Sequence, residues 1–295
     1  MRAQIRERRV LAGLLSGSGL ERVGDSYFVV CDDSPYLFRL DSAWNIVGTT
    51  PLFSSDTHLG ERIPKSSKPD LEAMCVVEWQ GRTELICFGS GSKTPSRDIC
   101  YRVDVTDPAS PQNVRAVGLT PLYDTLRSNP AIVGANTLNL EAATATKDSL
   151  LLFQRGNISS INAVMKYELD AFMGFLDEPT RPVPQMHLDV FTLPKLQNRH
   201  AGFSAAITWN DAILFAASVE DTDNEIDDGA TIGSFVGLLA NDKVQWVCPV
   251  EQAAGIAPVK IEGITLVSAD GNNLELCAVT DNDQDSSEML RLQIV

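Results

Sequence analysis

The chain predicts an all-β protein, a β-propeller of five blades with four antiparallel strands each, and three observations carry that expectation. A triplet of one polar, one small and one aliphatic or small residue recurs as Ser18-Gly19-Leu20, Glu72-Ala73-Met74, Glu141-Ala142-Ala143, Ser204-Ala205-Ala206 and Glu262-Gly263-Ile264. Each copy leads into β-branched and aromatic runs separated by short polar turns, the pattern of hairpins. The last unit ends one strand short, whereas the segment Arg8 to Leu15 precedes the first triplet and can supply an N-terminal strand that closes the last blade.

In the first unit Tyr27-Phe28-Val29-Val30-Cys31 reads as a buried strand, Asp32-Asp33-Ser34-Pro35 as a turn, and Tyr36 to Asp41 as the returning strand, with a fourth run from Trp44 to Val47. The second unit repeats this order through Leu85-Ile86-Cys87-Phe88, Ile99 to Val103 and Val114 to Gly118; Thr120-Pro121-Leu122 echoes Thr50-Pro51-Leu52. The third runs through Leu150-Leu151-Leu152-Phe153 and Ala163 to Tyr167, the fourth through Ile213 to Ala217 and Ser234 to Leu239, the fifth through Leu274 to Val279 and Met289 to Ile294. Spacings of about 54 to 69 residues between triplets fit blades with sizeable loops. A sandwich whose hairpins are alike by chance is the competing architecture, and it leaves the ordered matches unexplained.

The 295 residues, 44% of them hydrophobic, suffice for one large domain spanning 1–295. A net charge of −15 argues against nucleic acid as a partner and suits a small cation or a metal ion. Six cysteines without CxxC spacing sit in apolar runs, as buried thiols of a reducing compartment do. The N-terminus lacks a signal-peptide core and no apolar run reaches 18 residues, so the expectation is a cytoplasmic protein with no membrane partner.

Because successive strands alternate in direction, the start of each first strand and the end of each second strand share one face. That face gathers a ring of Ser18, Glu72, Glu141, Ser204 and Glu262, surrounded by Asp32, Asp33, Ser90 to Lys93, Arg155, Asn157, Glu220, Asp221 and Asp281 to Asp283. Carboxylates crowded into a narrow channel raise each other's pKa unless a cation joins them. Oxygen-only donors suit calcium or magnesium, and Glu72, Glu141 and Glu262 are the expected metal ligands, with Ser18 and Ser204 between them. Lys68, Lys260, Arg155 and His200 could instead neutralise the ring, and the glutamates could equally serve as structural hydrogen-bond acceptors.

Lys93 and Arg97, in the hydroxyl-rich loop Ser90 to Arg97, are candidates with Arg155 to receive the anionic part of a ligand, and Asn157, Asp32 and Asp281 are further ligand-binding candidates. The loop lacks the GK[ST] order of a P-loop. The acidic run Asp221 to Gly229 departs from an EF-hand loop at Ile226. No nucleophile elbow is present, which leaves Ser18 or Ser204 with His200 as the only serine-hydrolase candidates.

Asp70-Leu71-Glu72-Ala73-Met74, Asn139 to Ala143 with Leu151 to Asn157, and Lys260 to Ile264 with Val279 to Asp283 resemble the LEG(I/L), LLxxxRG and TDND repeats of bacterial phytase-like (esterase-like) β-propellers. Ser16 to Leu20 with Asp32 to Leu37 is similar to one branch of that group, and the likeness covers nearly the whole chain. The resemblance implies phosphoester or ester hydrolysis of a small anionic or ester ligand, assisted by calcium. Glu141, Arg155 and His200 are the catalytic candidates. Two ring positions are Ser where the group has Glu, and a non-catalytic ligand- or protein-binding propeller is the other reading.

Overall fold

A computed structural model describes residues 1–223, 229–252, 256–271, 273–282 and 286–295. The chain opens with β1 (Ala3–Val10) and then lays down a first sheet of β2 (Gly17–Val23), β3 (Ser26–Cys31), β4 (Tyr36–Leu40) and β5 (Ile46–Pro51). A second sheet follows, with β6 (Leu71–Trp79), β7 (Arg82–Gly89), β8 (Ile99–Asp104) and β9 (Gln112–Gly118). Two short helices, α1 (Thr120–Arg127) and α2 (Pro130–Val133), lead to the third sheet. Its strands are β10 (Leu140–Ala145), β11 (Ser149–Gln154), β12 (Asn162–Glu168) and, after α3 (Leu169–Asp177), β13 (Met186–Phe191). A small ribbon of β14 (Lys195–Leu196) and β15 (Arg199–His200) precedes β16 (Gly202–Trp209), β17 (Ala212–Asp221), β18 (Ala230–Ala240) and β19 (Lys243–Glu251). The last strands are β20 (Lys260–Asp270), β21 (Asn273–Asp281) and β22 (Glu288–Ile294). The architecture is all-β, built from four-stranded antiparallel meanders in the manner of a β-propeller.

The last two meanders join into one eight-stranded sheet through β1, which pairs antiparallel with β22 and, at Ala3 and Gln4, parallel with β19. The sequence places an N-terminal strand at Arg8 to Leu15, on the strength of its leucines; the observed strand lies five residues earlier. An outer strand needs backbone partners and a solvated face, and β1 offers arginines: Arg8 reaches Glu288 at 2.5 Å and Arg6 reaches Gln293 at 2.8 Å. Leu11 and Leu14 instead close a tight turn whose side chains are buried against Leu20, Met289 and Val279.

Apolar packing runs between neighbouring sheets in sequence. Phe28, Val30 and Leu37 of the first sheet pack on Met74, Leu85 and Tyr101 of the second. The second packs on the third through Phe88, Leu140 and Met165, and the third on β16–β19 through Phe153, Phe203 and Phe215. Ala216, Val236 and Cys248 then meet Ile264, Leu276 and Leu290, and Cys277, Val279 and Met289 meet Leu20, Tyr27 and Val29 of the first sheet. Burial of this kind supplies about 25 cal/mol per Å² of apolar surface, and the fully buried Phe203, stacked edge-on against Phe153 and Phe215, is among its largest contributors.

The helices depart from the all-strand reading. Thr120-Pro121-Leu122 does not repeat the strand end at Thr50-Pro51; Pro121 sits in the first turn of α1, where a missing N–H costs nothing. Leu122, Tyr123 and Leu126 are buried, and the Tyr123 hydroxyl donates to the Gly89 carbonyl at 2.6 Å. Helix α3, whose N-terminal Ala171 N–H is capped by the Glu168 carboxylate at 2.8 Å, lays Phe172 against Phe88 and Tyr167. Both helices thereby seal the seam between the second and third sheets. All six cysteines are buried and unbridged, and no helix among the described residues is long and apolar enough to cross a membrane.

Candidate functional site at the mouth of the inner strands

The five inner strands β2, β6, β10, β16 and β20 pack against one another, and each carries a β-bulge at the same place. Pairing skips one residue between Gly17 and Gly19, Leu71 and Ala73, Leu140 and Ala142, Phe203 and Ala205, and Ile261 and Gly263. The skipped residues are Ser18, Glu72, Glu141, Ser204 and Glu262. A bulge re-aims one side chain, which is why the triplet begins with a polar residue. The small residue that follows lies where inner strands nearly touch: a Cβ on Gly263 would come within 2.7 Å of Leu20, and one on Gly19 within 3.0 Å of the Met74 Cβ. The channel between them, lined by Ser18, Glu72, Glu141 and Glu262 among others, holds only about 10 Å³, at most one water.

At one end of this channel the charged residues form two adjoining networks. In the first, Arg155 at the end of β11 sends its guanidinium to carboxylates from three different sheets or meanders: Glu141 at 3.1 Å, Glu220 at 2.5 Å and Glu262 at 3.6 Å. Lys260 adds contacts to Glu220 at 3.3 Å, Glu262 at 3.5 Å and Asp281 at 3.5 Å. Asn139 donates to Glu141 at 2.5 Å. Burial pushes the Glu220 carboxyl up, but Arg155 and Lys260 outweigh it and hold that group below its ordinary range. Glu262 is driven well above it by burial, against the pull of the same two cations, and neither of its buried oxygens has a hydrogen bond among the described residues. Glu141 is also raised, by burial first.

In the second network Lys68 bridges Asp32 and Asp70, the latter at 2.9 Å. Arg97 pairs with Asp70 and donates to Ser92 at 2.6 Å, while Arg62 meets Asp33 at 2.6 Å. Asp70 adopts φ 57°, a left-handed turn into β6 that delivers its carboxylate to this group. Oxygens of Asp32, Asp70 and Glu72 lie within 4.8 Å of one another, a spread that one calcium with ligands at about 2.3–2.6 Å can span. Burial, with Asp33, Asp281 and Asp70 adding to it, lifts Asp32 to about 7 despite Lys68. Glu72 is raised well above the carboxylate range by burial and by Glu141, Asp70 and Asp32.

Together the networks assemble Asp32, Asp33, Asp70, Glu72, Glu141, Glu220, Glu262 and Asp281 against Arg62, Lys68, Arg97, Arg155 and Lys260. Fully ionised, these named residues carry three more negative charges than positive among the described residues, an imbalance that protons or a cation would reduce.

The expected ring is thus divided. Glu141 and Glu262 face Arg155, whereas Glu72 joins Asp32 and Asp70. Ser18 and Ser204 are satisfied by backbone: Ser18 donates to the Ser16 carbonyl at 3.0 Å and Ser204 to the Ile261 carbonyl at 2.6 Å. Of the expected ligand-binding residues, Lys93 is exposed, Asn157 is partly exposed, and Arg97 and Arg155 are buried in ion pairs. His200 lies on the β14–β15 ribbon opposite Lys195, its pKa lowered by partial burial and that lysine. In the acidic run, Asp221 and Asp223 bind Arg199 at 2.7 and 2.6 Å; residues 224–228 and Asp283 lie outside the described residues. Asp70 and Arg62 escape the sequence reading. Asp70 stands two residues before the triplet, as do Ser16, Asn139 and Lys260 in other units, and all four make polar contacts at the mouth.

Solved structures with the same organisation include a glutaminyl cyclase from Myxococcus xanthus (11% identity, 99% of this chain and 97% of that one, TM-score 0.53). An endo-arabinase from Bacteroides thetaiotaomicron is similar at 11% identity, 97% and 96% coverage and TM-score 0.51. Both are β-propeller-like, and at this identity the likeness concerns the fold. The chain belongs to DUF6929, a family of unknown function, whose model matches residues 13–294. Among curated proteins none matches it.

Proposed function

We propose that the chain is a single five-bladed β-propeller domain, closed by β1, whose acidic mouth binds a divalent cation and uses it to hydrolyse a small phosphoester or ester. The convergence of Asp32, Asp70 and Glu72 in a mouth with surplus negative charge carries this reading. Hard oxygen donors favour calcium or magnesium. A cation held there would polarise the ester and its bound water, while Lys93 and Asn157 meet the anionic part. The choice of a phosphoester leans on the resemblance to phytase-like propellers, and the five-blade count on the ring of inner strands and the chain of inter-sheet packing.

A second reading has its own observation: Arg155 ties three meanders together, which suits a ligand- or protein-binding propeller whose mouth is structural. Calorimetric titration with Ca²⁺ and Mg²⁺, followed by p-nitrophenyl phosphate and acetate assays, separates the two. The expected result is stoichiometric binding and turnover by the wild type, both lost in Asp70→Asn. Cation binding without turnover removes the hydrolase, and no binding at all leaves the structural mouth.

A further inference from the structure

The opposite end of the same channel opens into a cavity of about 340 Å³, and every inner strand contributes to its wall. Glu21 and Arg22 come from β2, Val76 from β6, Thr144 from β10, Thr208 from β16 and Thr265 from β20. These residues stand three or four positions beyond the bulges, roughly 10 Å along strands that rise about 3.3 Å per residue. Glu21 is only 6% exposed. Arg22, the cation on its own strand, also borders the cavity, and its guanidinium is already engaged: it donates to the Gly24 carbonyl at 2.9 Å, sits 3.7 Å from Asp25 and lies over the Tyr27 ring at 5.7 Å. Among the described residues the buried thiols Cys75 and Cys87 feel Glu21, and burial holds both neutral. The Thr144 and Thr208 hydroxyls hydrogen-bond to each other at 3.1 Å in the cavity wall, and Thr265, also in that wall, is buried.

We infer that this cavity is a second binding site, which takes the ammonium head of a small primary alkylamine on Glu21 and the threonine hydroxyls. An ammonium has three donors, and a carboxylate with hydroxyl oxygens from neighbouring strands is an acceptor set that matches them. Val76, Ile207 and Leu266 line the same cavity and offer apolar surface to an alkyl chain. The overall charge of −15 favours a cationic ligand. Burial pushes the Glu21 carboxyl up to about 8, against backbone N–H groups of Val76 and Arg22 that favour its ionised form. Around neutral pH the empty site therefore holds a proton, which an arriving ammonium displaces. The site is independent of the cation-binding mouth and of any hydrolysis there.

The test is calorimetric titration of the full chain with n-butylammonium at pH 7, in two buffers of different ionisation enthalpy, with n-butanol as the uncharged probe. One-to-one binding with proton release is expected, with affinity reduced at least ~10-fold in Glu21→Gln, reduced several-fold in Thr265→Val, and no butanol binding. Butylammonium that fails to bind, that binds Glu21→Gln as tightly as wild type, or that is matched by butanol overturns the inference. Thermal melts establish that each variant is folded; if Glu21→Gln is not, the Thr265→Val affinity and the proton release decide.

Discussion

The two halves of the charged mouth differ in what neutralises them. Around Arg155 the counter-ion is a planar guanidinium that never loses its charge, is fully enclosed, and reaches carboxylates carried by β10, β17 and β20. Around Asp32, Asp70 and Glu72 the cation that bridges two carboxylates is the ammonium of Lys68, a point charge on a flexible stem, while Arg97 holds Asp70 alone and Glu72 keeps a partly exposed edge. A guanidinium fork fixes the directions of several strands at once. A lysine leaves open coordination positions on the same oxygens and can be displaced. Under the proposed function the Arg155 half holds sheets in place and the Lys68 half exchanges its cation.

The strongest way to break this contrast is Arg155→Met. It leaves Glu141, Glu220 and Glu262 buried with Lys260 as the remaining cation, and removing one partner of a buried pair costs about 3–5 kcal/mol. Denaturant unfolding is expected to register a loss of that size, which Ca²⁺ does not restore. A loss under about 1 kcal/mol would deny the network its role as a clamp. Lys68→Met is expected to act differently. With EDTA it costs about 1–3 kcal/mol, because Asp32 and Asp70 lose their bridge; with Ca²⁺ the loss is recovered and calcium binds roughly tenfold more tightly than to wild type, the competing ammonium being gone. Calcium binding that is unchanged or weaker in this variant would place the cation elsewhere.

Much of this site is legible in the triplets, for a physical reason. A bulge needs a residue whose side chain profits from re-aiming, and the close approach of inner strands needs a small one after it, so Glu72-Ala73 and Glu262-Gly263 write the geometry into two letters. The pairing of those glutamates is not written there. Glu72, Glu141 and Glu262 look equivalent along the chain, yet Arg155 follows only β11 and Asp70 precedes only β6, so the ring splits by which loop supplies a cation. The fold follows the same rule. Alternating apolar runs mark the strands, whereas α1 hides behind Pro121, read as a strand end, and β1 hides because an outer strand is polar where Leu11 and Leu14 are not.

The smallest expected effect is also the one that reads the exchangeable half directly. Asp32 has its carboxyl raised from 3.8 to about 7, burial being the larger cause and the neighbouring acids the smaller. Between those values the folded protein keeps a proton that the unfolded chain has released, so the native state binds more protons and stability falls as pH rises through roughly 4 to 7, then levels off. With EDTA the wild type is expected to lose on the order of 1–2 kcal/mol across that window from this group, after allowance for its contact with solvent. Asp32→Asn removes that contribution. Saturating Ca²⁺ flattens the slope in the wild type as well, because a bound cation holds Asp32 ionised and returns its pKa toward the unfolded value. Arg155→Met leaves the calcium effect in place, since its carboxylates belong to the clamp. Urea midpoints at pH 5, 6, 7 and 8 measure all three, and a calcium-insensitive slope would mean that the proton on Asp32 and its neighbours, with Lys68, is the resident cation of that half of the mouth.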